Sequence, residues 1–175
     1  MLRDLHYNFG TKLLNTIDPE LAHRLAISFL KYFYLSKSTL PENNILKTKI
    51  CDLEIMNPIG LAAGFDKNAE IFNPTISLGF GFTEVGTITP EPQYGNKRPR
   101  LFRISEELAL INRMGFNNVG MKKIRANLSN EKKGIVGINI GANAKSINKI
   151  LDYSKVFEFL AFYFDYVTLN VSSPN

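Results

Sequence analysis

Four short apolar stretches of this chain each run into small or amide side chains. Ala63-Gly64-Phe65-Asp66-Lys67-Asn68 follows the first and Gly86-Thr87-Ile88-Thr89 the second. The third contains Asn139 and continues into Gly141-Ala142-Asn143, and the fourth ends Asn170-Val171-Ser172-Ser173-Pro174-Asn175. Gly64, Gly86 and Gly141 permit close approach of backbone to a ligand. Asn112, Asn139, Asn170 and Asn175 each carry a donor and an acceptor on one side chain. That pairing suits a planar, amide-rich ligand with alternating carbonyl and N–H edges, such as a flavin or a pyrimidine. Lys67 adds a point charge for a carboxylate or for a reduced ring. Polar strand ends are also where any chain meets water, but asparagine is poorly suited to strands, and its repetition shifts the reading toward a ligand.

The elements that must bring these ends together are legible as pattern. Pro58 to Ala62, Gly81 to Val85, Gly134 to Ile140 and Tyr166 to Val171 are apolar runs of strand length. Helical spacing falls between some of them, at Asn118 to Leu128 and Asp152 to Phe164. Strands alternating with helices predict parallel βαβ units, and such folds build their sites at the C-terminal strand ends. Ile45 to Ile50 with Leu53 to Met56 predicts one hairpin, and Leu101 to Ile104 with Leu108 to Asn112 a second, inserted above the sheet. Eight βα units need about 250 residues. The 175 residues here leave room for half a barrel or for a small open α/β domain.

Residues 1–40 read as a helical unit. Leu5, Phe9, Leu13 and Leu14 recur at helix-like spacing, and Asp18-Pro19-Glu20 is a strong helix start, with Asp18 as N-cap. Leu21, Leu25, Phe29 and Phe33, with Ala22, Ala26 and Leu30, form a wide apolar stripe. It suits either a hairpin packed on the main domain or interfacial helices touching a membrane. Residues 37–45, SKSTLPENN, read as a linker.

Composition excludes several classes. The net charge is +5, which favours anionic partners, but the basic residues are scattered rather than striped, so a nucleic-acid partner is not expected. The single cysteine, Cys51, rules out an internal disulfide, and with two histidines no metal constellation is expected. No Walker loop or GxGxxG fingerprint occurs. No apolar run approaches the roughly 20 residues of a membrane span.

Taken in order, NPIGLAAGFDKN (57–68), GFGFTEVGTITPEPQYGNKRPRLFRI (79–104), INRMGFNN (111–118), GINIGAN (137–143) and LNVSSPN (169–175) resemble successive motifs of the class 2, quinone-dependent dihydroorotate dehydrogenases. DPELAHRLA (18–26) is similar to that class's N-terminal extension. The resemblance implies the N-terminal half of an FMN-binding (β/α)8 TIM barrel (residues 41–175) preceded by a small helical domain (residues 1–40) associated with membrane and quinone. It implies oxidation of dihydroorotate to orotate in pyrimidine biosynthesis, with a membrane quinone as electron acceptor. FMN contacts fall on Ala63, Gly64, Phe65, Asp66, Lys67, Thr87, Asn139 and Asn170. Substrate contacts fall on Lys67, Asn112, Arg113, Met114, Gly115, Phe116, Asn170 and Asn175. Ser173 takes the place of the catalytic base, where class 1 relatives carry cysteine. His23 and Arg103 match positions on the quinone route. The implied location is peripheral, on the cytoplasmic face of the cell membrane.

The sequence ends at Asn175, before the later strands of the family pattern. The chain alone is therefore expected to bind FMN weakly or not at all and to show no turnover without a missing C-terminal half. Three readings stay open: a fragment or split-gene half of the enzyme, an inactive remnant, and a membrane-surface module using only the N-terminal helices.

Overall fold

The computed structural model describes residues 14–33, 44–107, 109–128 and 131–171. Most of the expected linker and of the expected first helix, together with Ser173 and Asn175, lies outside the described residues. Helix α1 spans Pro19–Phe33, and Asp18 caps it as expected, its Oδ1 accepting from Leu21 N at 2.8 Å. A short turn at Asn44–Leu46 leads into a hairpin of β1 (Thr48–Ile50) and β2 (Leu53–Ile55). Then follow β3 (Gly60–Leu61), α2 (Phe72–Ser77) and β4 (Phe82–Ile88). The second hairpin pairs β5 (Leu101–Ile104) with β6 (Ala109–Asn112). The chain finishes with α3 (Met121–Asn127), β7 (Ile135–Ile140), α4 (Lys149–Leu160) and β8 (Tyr166–Leu169).

β3, β4, β7 and β8 form one sheet in that order, parallel throughout. All four expected core strands are there, the first reduced to two residues. Strand alternation sends two sets of side chains to opposite faces. Outward, Val85, Ile88, Val136, Ile138 and Ile140 pack with Ile124, Val156 and Leu160 of the helices, all fully buried. Inward, the side chains are layered. At the lower level Phe82 and Tyr166 meet edge to face, centroids 6.4 Å apart. Their rings lie against Gly60 and Gly137, where a Cβ would collide with them. One rung up stand Glu84, Asn139 and Thr168, joined by hydrogen bonds, and above them Thr87 and Asn170.

α1 is fastened to this wall at both ends. Near its start the Glu20 carboxylate, 8% exposed, meets Arg100 at 2.5 Å and Arg98 at 2.9 Å. Near its end Lys31 pairs with Glu70 at 2.8 Å. The apolar stripe splits: Ala22 is buried against the wall, while Leu21, Leu25 and Phe29 are exposed. The hydrogen bond and charge of Arg100 lower the Glu20 carboxyl from 4.5 to about 2. Unfolded chain therefore binds a proton in a pH range where folded chain does not, and stability is lost as pH falls from 4.5 toward 2. The loss should approach roughly 2–3 kcal/mol. Urea midpoints of wild type and Glu20→Gln across that range check it, since the variant should lose the acid-dependent slope.

Candidate active site

A cleft of about 830 Å³ opens where the C-terminal strand ends face α1 and the β5–β6 hairpin. The stretch after β3 reaches it because two backbone bonds lash that loop to β4. Gly64 N donates to Gly86 O at 2.8 Å, and Gly86 N donates to Asp66 O at 2.9 Å. Gly64 and Gly86 hold φ of +106° and +111°, in the region that favours glycine. A Cβ at Gly64 would touch no protein atom, because it would stand in open space. Lys67 Nζ donates to Gly64 O across the same loop, and burial lowers its ammonium below the usual lysine range.

The cleft floor is a hydrogen-bonded cluster. Thr87 Oγ1 donates to Asn139 Oδ1 at 2.6 Å, and Asn170 Nδ2 donates to Thr87 Oγ1 at 3.0 Å and to Asn139 Oδ1 at 3.1 Å. The facing side is the segment after β6. Gly115 and Phe116 both take positive φ, +74° and +50°, which for phenylalanine is strained. Three bonds hold that turn: Gln93 Nε2 donates to the carbonyls of Gly115 and Phe116 at 3.1 and 3.2 Å, and Asn118 Nδ2 to that of Phe116 at 2.8 Å. Gly141 lets the Thr87 methyl close over it, where a Cβ would collide with that methyl and just touch the Phe116 ring.

Most residues expected at the site meet in this one cleft. Ala63, Gly64, Phe65, Lys67, Thr87, Asn139 and Asn170 line it, as do Asn112, Met114, Gly115 and Phe116. His23 and Arg103 line it from the α1 side. Two expected residues turn elsewhere. Asp66 is 1% exposed, and its carboxylate accepts from the backbone N–H groups of Glu70 and Ile71 at 2.8 and 2.9 Å, holding the turn into α2. Arg113 stands outside the cleft, bonded to Pro99 O at 3.1 Å with its guanidinium over the Phe102 ring. His23 donates from Nε2 to Phe65 O at 2.7 Å, and burial lowers its pKa, favouring neutral imidazole. Arg103 donates to the carbonyls of Leu14, Asn15 and Ile17, so it ties the segment before α1 to the hairpin. Gln93, Asn118 and Glu84 were not expected at the site.

A parallel α/β wall that gathers glycines and amides at its strand ends is the design of a TIM-barrel enzyme, and about half of one is present here. The dihydroorotate dehydrogenase family model matches residues 45–175. The chain is 52% identical over 167 residues to the dihydroorotate dehydrogenase (quinone) of Bartonella henselae, covering 95% of this chain and 46% of that relative. It is 50% identical over 165 residues to the enzyme of the same name from Rhodopseudomonas palustris, covering 93% and 45%. A crystal structure of the Eimeria tenella enzyme in complex with ferulenol superposes with a TM-score of 0.84 at 39% identity, covering 90% of this chain and 45% of that one. The chain belongs to the dihydroorotate dehydrogenase family, and it spans about half the length of the curated relatives it matches.

That family suggests a flavin, and the residues present fit a flat ring. The volume lies within the range of cofactor sites. The open space at Gly64 leaves room for a ring against the backbone. The floor amides supply in-plane hydrogen-bonding groups and Lys67 a cation beside them. Among the described residues no group of three or more His, Cys, Asp or Glu could hold a metal.

Proposed function

We propose that this chain supplies the ring-binding half of an FMN-dependent, quinone-linked dihydroorotate dehydrogenase, which oxidises dihydroorotate to orotate in pyrimidine biosynthesis. The observation that carries the reading is the convergence of Gly64, Lys67, Thr87, Asn139 and Asn170 on one cleft faced by Asn112 and Phe116. FMN, when bound, supplies the electron acceptor for dihydroorotate. Thr87, Asn139 and Asn170 would hold its ring, and Lys67 would set a positive charge where negative charge develops. Asn112, Met114, Gly115 and Phe116 form the substrate side, with Phe116 excluding water, and Asn170 and Asn175 share in binding the substrate. Ser173 is the base that takes the substrate proton. The quinone approaches between α1 and the β5–β6 hairpin, past His23 and Arg103. The exposed Leu21, Leu25 and Phe29 suit a peripheral membrane contact. Among the described residues no helix is long and apolar enough to cross a membrane.

The test joins residues 1–175 to the remaining C-terminal portion of the Bartonella henselae relative. The chimera should purify yellow and reduce a soluble quinone with dihydroorotate. A folded chimera that holds no flavin overturns the reading.

A further inference from the structure

Glu84 is a carboxylate set into the inner wall at the level of Asn139, at the base of the cleft, with no part in the chemistry above. Neutral donors meet both of its oxygens: Asn139 Nδ2 at 2.8 Å on one and Thr168 Oγ1 at 2.8 Å on the other. Burial, and after it the Glu84 charge, pushes the pKa of the Tyr166 phenol up. The ion pairs among the described residues do not include it.

A carboxylate can only accept. Asn139 must therefore turn its NH2 toward Glu84 and its carbonyl oxygen away. That oxygen is met by Thr87 Oγ1 at 2.6 Å and Asn170 Nδ2 at 3.1 Å. Thr87, having given its proton to Asn139, offers only lone pairs, and Asn170 Nδ2 donates to it at 3.0 Å. The Asn170 NH2 is thus occupied, and its carbonyl oxygen is the group left for a ligand. On Asn139 the second amide hydrogen is left. The orientation of both carboxamides runs back, one bond at a time, to the single member that cannot donate.

We infer that Glu84 is a positioning residue that sets the hydrogen-bond polarity of the floor, so that Asn170 presents an acceptor and Asn139 a donor to the lactam or imide edge of a planar ring. The identity of that ring rests on the flavin reading above, whereas the polarity does not. Leucine at this position fills similar space but accepts no hydrogen bond, so the Asn139 NH2 loses the partner that orients it; glutamine would not serve, because its oxygen can face Asn139 while its NH2 donates to the Thr168 hydroxyl.

The experiment labels asparagine with 15N in the full 175-residue chain, or in the chimera if the chain alone lacks a dispersed spectrum. Asn139→Ala and Asn170→Ala assign the two side-chain amides. In wild type the Asn170 pair and the Asn139 hydrogen that faces Glu84 should exchange slowly with water, while the second Asn139 hydrogen is open to the cleft. Glu84→Leu should shift both pairs and speed the exchange of the protected hydrogens about tenfold or more, although Glu84 does not touch Asn170. Thr168→Val removes a different donor from the same carboxylate and should leave both in place. An Asn139 amide whose two hydrogens both exchange freely in wild type overturns the inference, as does an Asn170 pair unmoved by Glu84→Leu. If Glu84→Leu does not fold, Thr87→Val decides: it should free one Asn170 hydrogen while the Asn139 hydrogen that faces Glu84 stays protected, and the reverse overturns the inference. In a parallel titration by flavin fluorescence, Glu84→Leu should weaken FMN binding about tenfold or more. Wild type that binds no FMN in either form sinks the flavin reading and leaves the amide result to stand by itself.

Discussion

Gly86→Ala should destabilise the chain by about 4 kcal/mol, a large part of the roughly 5–15 kcal/mol that holds a domain of this size. Two costs add. The backbone sits at φ +111°, where an L side chain costs of order 1–3 kcal/mol. The new Cβ would also fall well inside contact distance of the Asn139 backbone oxygen, with Ile88 N at 3.0 Å on its other side. Both neighbours are main-chain atoms of paired strands and cannot rotate away, so β4 and β7 must separate, adding about 1–3 kcal/mol of overpacking. The bonds from Gly64 and to Asp66 would move with them, so the loop carrying Lys67 would lose its anchor. Gly64→Ala is the control. Its φ of +106° is as demanding, but nothing lies within 4 Å of the added carbon. It should cost only the backbone strain, about 1–3 kcal/mol, while placing a methyl in the cleft. Urea unfolding of both variants, with FMN titration beside it, separates damage to the fold from damage to the site.

The two glycines also show what a sequence makes legible. Their types announced close approach, but only the paired backbone reveals that one faces a wall and the other open space. The parallel strands were readable because a buried strand is a continuous apolar run bounded by glycine and polar residues. Both hairpins were readable from paired short apolar runs, although β1 and β6 are exposed along their length. α2 was not: FNPTIS is six residues with a proline inside, too short for a helical period to register. α4 begins at Lys149, before the expected Asp152. Its cap is Asn148, whose side chain accepts from Leu151 N at 3.0 Å. Asp152 is instead buried and accepts from Asn143 N at 3.0 Å, a tertiary contact that local pattern does not carry.

The site divides along similar lines. The amides and small residues at strand ends, read from their type, line the cleft. Residues that act through direction were not found from sequence. Asp66 belongs to the expected flavin stretch, yet its carboxylate points back into the turn before α2. Glu84 reads in sequence as one charge in an apolar strand, FTEVGTI, and a strand charge ordinarily faces water. Here it faces the barrel interior, because Thr83 and Val85 on either side are fully buried on the helix-covered face. Gln93 reads as part of a polar loop. Its amide nevertheless joins three segments, donating to Gly115 and Phe116 while accepting from Asn143 Nδ2 and Ala144 N at 3.1 Å each.

Ser173→Ala in the chimera should lower turnover with dihydroorotate by about 10²–10⁴-fold, the usual contribution of a positioned base, and leave the flavin bound. Chain connectivity carries the expectation. Asn170 N donates to Ile140 O at 2.9 Å and its carbonyl accepts from Tyr153 at 2.7 Å, so the strand end is fixed on the cleft floor. Ser173 lies three residues beyond that end, so chain length alone bounds it to about 11 Å from Asn170. A serine hydroxyl is a weak base and acts only if its proton has an outlet and its position is held. Cysteine titrates near 8.5 in its free form and needs less assistance. Ser173→Cys should therefore retain more activity than Ser173→Ala, with its rate rising at lower pH than that of the serine enzyme. Stopped-flow bleaching of the flavin by dihydroorotate measures both variants directly. Equal bleaching rates in wild type and Ser173→Ala would remove serine from the chemistry and leave the cleft as a binding site whose base lies elsewhere.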